Sequence, residues 1–236
     1  MKQEQNRCNM ANNLYGYTDY NGPTEHNKLC NDDNDDGDDE TDPLRAGLWM
    51  EGDSLAPPCG TSISTIHQLL EFGDIGPTDV VYDLGCGDGR VCLEALVKCN
   101  VKASVGVDIE CDLVERFHEL MKGLPETITK DRIRLVHGDL RHVITSFVAR
   151  VLGEPYPTFS DLPFPTAVVL YLLPESIQEL EQDLLFLLTK LEPMKIICNT
   201  WGFDTVQPTR VLEIEEVSGG ATTKLFLYTN NSLRYP

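Results

Sequence analysis

Basic residues are scarce in this chain: 19 Lys and Arg stand against 38 Asp and Glu over 236 residues, a formal net charge of −19. Residues 1–45 hold 11 acidic and 4 basic side chains, so this tail carries −7 and the remainder −12. An acidic body disfavours nucleic acid, whose recognition needs clustered Lys and Arg. It leaves a basic, lysine-bearing protein or a small molecule as the expected partner. Long apolar runs are missing too: none approaches the roughly 18 residues that a membrane helix needs, so no membrane span is expected. No apolar stretch follows Met1-Lys2-Gln3-Glu4-Gln5-Asn6-Arg7, which argues against a signal peptide, and the Asn- and Asp-rich continuation is unlike a transit peptide. The 8 cysteines form no Cys-x-x-Cys pair and have no metal-ligand spacing. Reduced thiols and no metal are expected, in a cytoplasmic setting with the nucleus also open. No internal repeat is apparent.

Apolar residues make up 41% of the chain, enough for a sizeable core. Residues 1–45, with Asn31-Asp32-Asp33-Asn34-Asp35-Asp36-Gly37-Asp38-Asp39-Glu40, cannot bury enough apolar area to offset chain entropy and read as a disordered acidic tail. Residues 46–236 then form one domain. A helix is expected from Thr61 or Ser62 to Phe72, with Ile63, Ile66, Leu69 and Leu70 on its apolar face and Gly73 ending it. Strands Val80–Asp83, Ala103–Asp108, Ile133–His137, Ala167–Leu172 and Lys195–Asn199 alternate with helices over Arg90–Lys98, Cys111–Lys122, Arg141–Leu152 and one that begins after Pro174, with Glu175 in its first turn, and runs to about Lys190. Val211–Val217 and Thr223–Thr229, separated by Ser218-Gly219-Gly220, read as a hairpin. Such an order implies an α/β fold with its ligand at the carboxyl ends of the strands.

The chain is organised around Val80-Val81-Tyr82-Asp83-Leu84-Gly85-Cys86-Gly87-Asp88-Gly89-Arg90, a buried strand, a glycine turn and the start of a helix. The spacing is Asp-x-Gly-x-Gly-x-Gly. A dinucleotide turn reads Gly-x-Gly-x-x-Gly and sets a pyrophosphate on the helix N-terminus. Here a carboxylate, Asp83, precedes the turn and would repel a pyrophosphate. It suits a ligand carrying positive charge and no phosphate, as S-adenosylmethionine does. A turn that merely packs a helix on a sheet is the plainer alternative. Carboxylates also close the next two strands, Asp108 in Gly106-Val107-Asp108-Ile109-Glu110 and Asp139 in His137-Gly138-Asp139-Leu140. A carboxylate is acceptor-only and suits the donor-rich edges of ribose and adenine, although each of these two also reads as a helix cap.

The glycine stretch resembles motif I of the class I S-adenosylmethionine-dependent methyltransferases. The order of elements resembles their Rossmann-like fold: a seven-stranded, mostly parallel sheet closed by an antiparallel C-terminal hairpin. The resemblance implies S-adenosyl-L-methionine as cofactor and a binding set of Thr61, Asp83, Gly85, Cys86, Gly87, Asp108, Ile109, Asp139 and Leu140. In that family the acid after strand two takes the ribose hydroxyls, and the acid after strand three takes the adenine amino group. Asp88 and Arg90 read as a structural pair, with Asp88 also open to ligand contact. Glu110 reads equally as an adenosine neighbour or as a helix acid.

The strand-four exit is Leu170-Tyr171-Leu172-Leu173-Pro174-Glu175, not the Asn/Asp-Pro-Pro-Tyr of enzymes that methylate amide or base nitrogens, and no Pro-Cys sits there. Together with Asp-Leu-Gly-Cys-Gly-Asp-Gly-Arg and Gly-Val-Asp-Ile-Glu, this exit resembles a group of protein-lysine methyltransferases that includes the enzyme acting on the ATP synthase c-subunit. That resemblance implies a catalytic, acceptor-orienting role for Tyr171 and a cofactor-abutting role for Pro58-Cys59-Gly60-Thr61. On the same reading Trp201 and Phe203 are candidates for the aromatic wall of a lysine channel, or else core residues. A small-molecule methyltransferase and a non-catalytic cofactor-binding module remain open alternatives, with a nucleotide oxidoreductase disfavoured by the glycine spacing.

Overall fold

The computed structural model describes residues 60–122, 124, 130–215 and 222–233. The acidic tail, Pro58-Cys59 and Ser218-Gly219-Gly220 lie outside these residues. Helix α1 (Ile63–Phe72) begins at Ser62, whose hydroxyl accepts from the Thr65 N–H, and ends at Gly73. Then come β1 (Val80–Leu84), α2 (Arg90–Cys99), β2 (Ala103–Asp108), α3 (Cys111–Lys122), β3 (Ile133–His137), α4 (Leu140–Leu152), β4 (Ala167–Leu170), α5 (Pro174–Lys190) and β5 (Lys195–Asn199). Two antiparallel strands follow, β6 (Arg210–Glu215) and β7 (Thr222–Tyr228).

The seven strands make one sheet in the order β3-β2-β1-β4-β5-β7-β6. Pairings from β3 through β5 are parallel, and β7 runs antiparallel between β5 and β6. The period-two alternation of strands sends side chains into two cores. Val80, Tyr82, Leu84, Val168 and Leu170 join α4 and α5 through Val143, Phe147, Leu180 and Leu184. Val81, Val169 and Ile197 join α1, α2 and α3 through Ile66, Leu69, Leu93 and Phe117. Both faces are covered, so β1 is buried at every position. Tyr82, with no exposure, satisfies its hydroxyl by donating to the Pro163 carbonyl at 2.6 Å.

Strand β4 is two residues shorter than its apolar run, which continues to Leu172. Its partner on one side runs out first: Leu170 is level with Leu84, the last residue of β1, and beyond Leu84 the chain turns away through Gly85. Tyr171 and Leu172 therefore emerge from the sheet rim. Pro174 then opens α5, where its missing N–H costs no hydrogen bond. The topological switch, where β1 has β2 on one side and β4 on the other, lies directly beneath the glycine turn. Among the described residues no helix is long and apolar enough to cross a membrane.

Candidate functional site

Backbone geometry makes the turn after β1. Gly85, Gly87 and Gly89 have φ of 86°, 53° and 76°, a region that side chains with a Cβ rarely enter. At Gly89 a Cβ would also stand 2.4 Å from the Phe117 ring, so this glycine lets α2 seat against α3. At Gly87 a Cβ would meet nothing within 4 Å. The turn is open on that side.

The end of β2 fastens the turn from below. Gly85 and Cys86 N–H groups donate to the Val107 carbonyl at 2.9 and 3.0 Å, and the Gly138 N–H donates to the Asp108 carbonyl at 2.8 Å. The Asp108 carboxylate accepts from the Gly87 N–H at 2.7 Å and the Glu110 N–H at 2.9 Å. A carboxylate offers about four lone-pair sites, so Asp108 can shape the turn and still accept from a ligand hydroxyl. Glu110 is exposed, and its carbonyl accepts from Val114 at the start of α3.

Asp83 is 4% exposed. Among the described residues none donates a hydrogen bond or an ion pair to its carboxylate, although Asp79, Asp88, Asp108 and Asp139 all have such partners. Burial first, then the charges of Asp108 and Asp88, push its carboxyl well above the ordinary carboxylate range. Burial would also raise Asp88, but Arg90 and Arg116 outweigh it and hold that carboxyl below its usual value. The Arg90 Nε and Nη2 groups donate to the two Asp88 oxygens at 2.8 and 2.7 Å, and Nη1 donates to the Thr61 carbonyl at 3.1 Å. Arg90 thus latches the Gly60–Thr61 segment onto the glycine turn. The pair is structural, and through it the Thr61 backbone is held beside the glycine turn.

The remaining sequence-derived positions divide. Ile109, 42% exposed at the end of β2, offers an apolar face beside His137, whose Nε2 lies 3.1 Å from the Ile109 carbonyl. Asp139 caps α4, accepting from the Arg141 N–H at 2.8 Å, and it pairs with the Arg141 guanidinium at 2.7 Å. Burial raises its carboxyl, but Arg141 brings it below the usual value. Leu140 and Cys86 are buried, at 7% and 5% exposure. The Cys86 sulfur packs over Gly106, so its backbone rather than its thiol faces the turn. Burial pushes the Cys86 and Cys92 thiols well above their ordinary range, leaving neither as a ready thiolate nucleophile.

On the far side of the turn, Tyr171 and Trp201 stack with ring centroids 6.5 Å apart and planes 24° apart. Phe203 does not join them. It is 7% exposed and packs on Tyr228 at 4.5 Å, so of the two alternatives for Phe203 the structure gives the core residue. The reason is local: the Tyr228 hydroxyl accepts from the Phe203 N–H at 2.8 Å and draws that residue inward.

These groups fit S-adenosylmethionine chemically. A buried carboxylate with no partner among the described residues suits an ammonium, an open glycine cradle admits a close backbone approach, and two further carboxylates at or just after strand ends suit hydroxyl and amino donors. Asp83, Asp108 and the turn would hold the amino-acid and ribose parts, with Ile109 and Asp139 beside the base.

No family model matches the chain. A protein-lysine N-methyltransferase of Saccharolobus islandicus is 34% identical over 87 residues, 37% of this chain and 52% of that protein. A ribosomal RNA small subunit methyltransferase A of Dehalococcoides mccartyi is 27% identical over 128 residues, 51% of this chain and 40% of that protein. The chain thus matches about half, or less, of the length of these curated relatives. An RNA methyltransferase from Salinibacter ruber, solved with S-adenosyl-L-homocysteine, superposes with a TM-score of 0.55 at 26% identity, over 72% of this chain and 93% of that one. Backbone likeness over nearly the whole of that chain, on the sheet order described above, gives this protein the class I S-adenosylmethionine-dependent methyltransferase fold.

Proposed function

We propose that the chain binds S-adenosyl-L-methionine and transfers its methyl group to a lysine side chain of a protein. The observation that carries the first half is Asp83, a buried carboxylate lacking a described partner at the strand end where the glycine turn opens. Taking a carboxylate out of water is costly unless a cation meets it, and the ammonium of the methionine moiety is such a cation. When bound, the cofactor would supply an electrophilic methyl on sulfur, open to in-line displacement by an amine nitrogen that has first lost one proton to water, with S-adenosylhomocysteine as the leaving group. The chain's own residues do the rest. Asp83 and Asp108 orient the ligand, the bare glycine backbone lets it approach, and the apolar rim at Leu172 and Ile109 thins the water. Tyr171 leaves β4 level with the turn, which supports giving its hydroxyl the role of orienting the acceptor nitrogen.

The lysine assignment rests on three supports: the 34% likeness to a protein-lysine N-methyltransferase, the Leu-Tyr-Leu-Leu-Pro-Glu exit from β4, and the net charge of −19. An acidic surface attracts lysine-rich segments and repels phosphate backbones. RNA is the second reading, favoured by the Salinibacter ruber structure, 26% identical and 93% covered, and by the 27% likeness to the Dehalococcoides mccartyi ribosomal RNA methyltransferase. Incubating the full chain with methyl-labelled cofactor and whole-cell lysate separates the two. Label in the protein fraction that is stable to nuclease supports lysine. Label confined to RNA overturns the acceptor but not the cofactor.

A further inference from the structure

The loop after β5 is strained and clamped where a simple connection would need neither. Thr200 has φ 71°, and the Trp201 N–H donates back to the Asn199 carbonyl at 2.9 Å. This is a γ-turn of the rare, strained hand, at a β-branched residue. Strain of this kind persists only where the surroundings over-determine it. Here they do. The Thr200 N–H donates to the Lys224 carbonyl at 2.8 Å, and the Gly202 backbone lies so close to Tyr228 that a Cβ would stand 2.3 Å from its hydroxyl.

The far end of the loop is held by Glu181 of α5, only 5% exposed. Its carboxylate accepts from the Asp204 N–H at 3.2 Å, the Thr205 N–H at 2.9 Å and the Thr205 hydroxyl. Glu181 occupies a core position of its helix, four residues after Ile177 and three before Leu184, where an apolar side chain would ordinarily stabilise more. Its three acceptances make good that placement. The outcome of both restraints is that Phe203 goes inward, while Trp201 stays 38% exposed, stacked on Tyr171 at the sheet rim.

Resting on the methyltransferase reading above, we infer that Trp201 is a specificity-determining residue for an alkylammonium acceptor, and that Glu181 is the positioning residue that holds it against Tyr171. A ring face attracts a cation through its quadrupole, and Trp201, backed by the stacked Tyr171 ring, is the more exposed of the two. The adjoining turn adds the carboxylates of Asp83 and Asp108, while the Arg90 guanidinium is committed to Asp88 and the Thr61 carbonyl. A primary ammonium suits these surroundings better than a phosphate-bearing nucleotide.

The test uses the full chain and a double-mutant cycle. Labelled transfer to lysate protein and S-adenosylhomocysteine affinity are measured for wild type, Glu181→Gln, Trp201→Ala, Trp201→Phe and the double variant Glu181→Gln/Trp201→Ala. Glutamine at 181 turns one acceptor into an amide that faces the loop N–H groups and loosens the clamp. The expected result is an approximately tenfold or greater loss of transfer for Glu181→Gln and Trp201→Ala, with product affinity unchanged and Trp201→Phe largely retained. The double variant falls no further than Trp201→Ala, because Glu181 acts through that residue. Losses that multiply, or full transfer by Trp201→Ala, overturn the inference while leaving the methyltransferase reading intact. Absence of product binding by wild type sinks that reading instead. Should Glu181→Gln lose product binding by misfolding, Thr205→Val, which deletes only the hydroxyl contact, takes its place in the cycle.

Discussion

Replacing Asp83 with asparagine should separate the stability of this protein from its ligand affinity. The carboxylate is 4% exposed, with the like charges of Asp88 and Asp108 as neighbours. In the ligand-free chain its charge is a liability. Asparagine keeps the shape, removes the charge and is expected to raise stability on the order of 1 kcal/mol, or roughly 2–4 °C for a domain of this size. With ligand the sign reverses. A charge-assisted hydrogen bond to an ammonium is worth about 1.5–3 kcal/mol, and leaving that cation unpaired adds to the loss, so affinity should fall on the order of 100-fold. At a concentration about 100 times the wild-type Kd, S-adenosylhomocysteine stabilises wild type by about 2.7 kcal/mol and Asp83→Asn by only about 0.4 kcal/mol. Thermal unfolding with and without the ligand reads both effects. The pH dependence adds a check. The raised Asp83 pKa means the native state holds a proton that the unfolded chain has released, so this group's contribution to ligand-free stability falls as pH rises above the ordinary carboxylate range. Asp83→Asn removes that fall. Ligand stabilisation of wild type should grow over the same interval as Asp83 ionises. A full ligand shift in Asp83→Asn, or a ligand-free variant several kcal/mol less stable than wild type, would refute the reasoning.

Gly89→Ala forces a Cβ onto a residue at φ 76° and against the Phe117 ring at 2.4 Å. Left-handed backbone and overpacking together should cost about 3 kcal/mol, seen as a lower urea midpoint. Arg90→Ala leaves Asp88 buried without its bidentate partner and frees the Thr61 carbonyl. Because the Arg90 side chain is 23% exposed, the loss should be about 2 kcal/mol rather than the full cost of a buried pair. Arg90→Lys should not restore it, since one ammonium cannot span both Asp88 oxygens and the Thr61 carbonyl. Tyr171→Phe should leave product affinity unchanged and lower transfer by roughly 10- to 100-fold, and unchanged turnover on a confirmed substrate would remove the hydroxyl from the chemistry.

The strands were legible because each is a short apolar run bounded by turn residues, and a sheet covered on both faces demands such runs. Strand β2 (Ala103–Asp108) and β5 (Lys195–Asn199) coincide with the pattern to the residue. Strand β4 does not, since hydrophobicity at Leu172 reports burial beside the glycine turn and not pairing. The carboxylates at the strand ends were legible as a group, but their separate duties were not. That Asp108 ties down Gly87 and that Asp83 alone lacks a described partner depend on contacts between distant segments, whereas the Asp139 cap on α4 is local and was one of the two readings its sequence allowed. The Arg90–Thr61 latch spans 29 positions and left no periodic trace. Glu181 did leave one, as an acid on the apolar stripe of α5, but such a residue signals a buried acceptor without saying which loop it holds. Trp201 and Phe203 looked alike in sequence, and the backbone turn at Thr200 and the Tyr228 hydroxyl separate them.

Titration calorimetry of the full chain with S-adenosylmethionine and with S-adenosylhomocysteine bears most directly on the pocket. One site per chain is expected, with measurable heat for both ligands in wild type and heat lost or greatly reduced in Asp83→Asn. No heat from either ligand with folded wild-type protein would contradict the cofactor assignment, and the proposed methyl transfer with it.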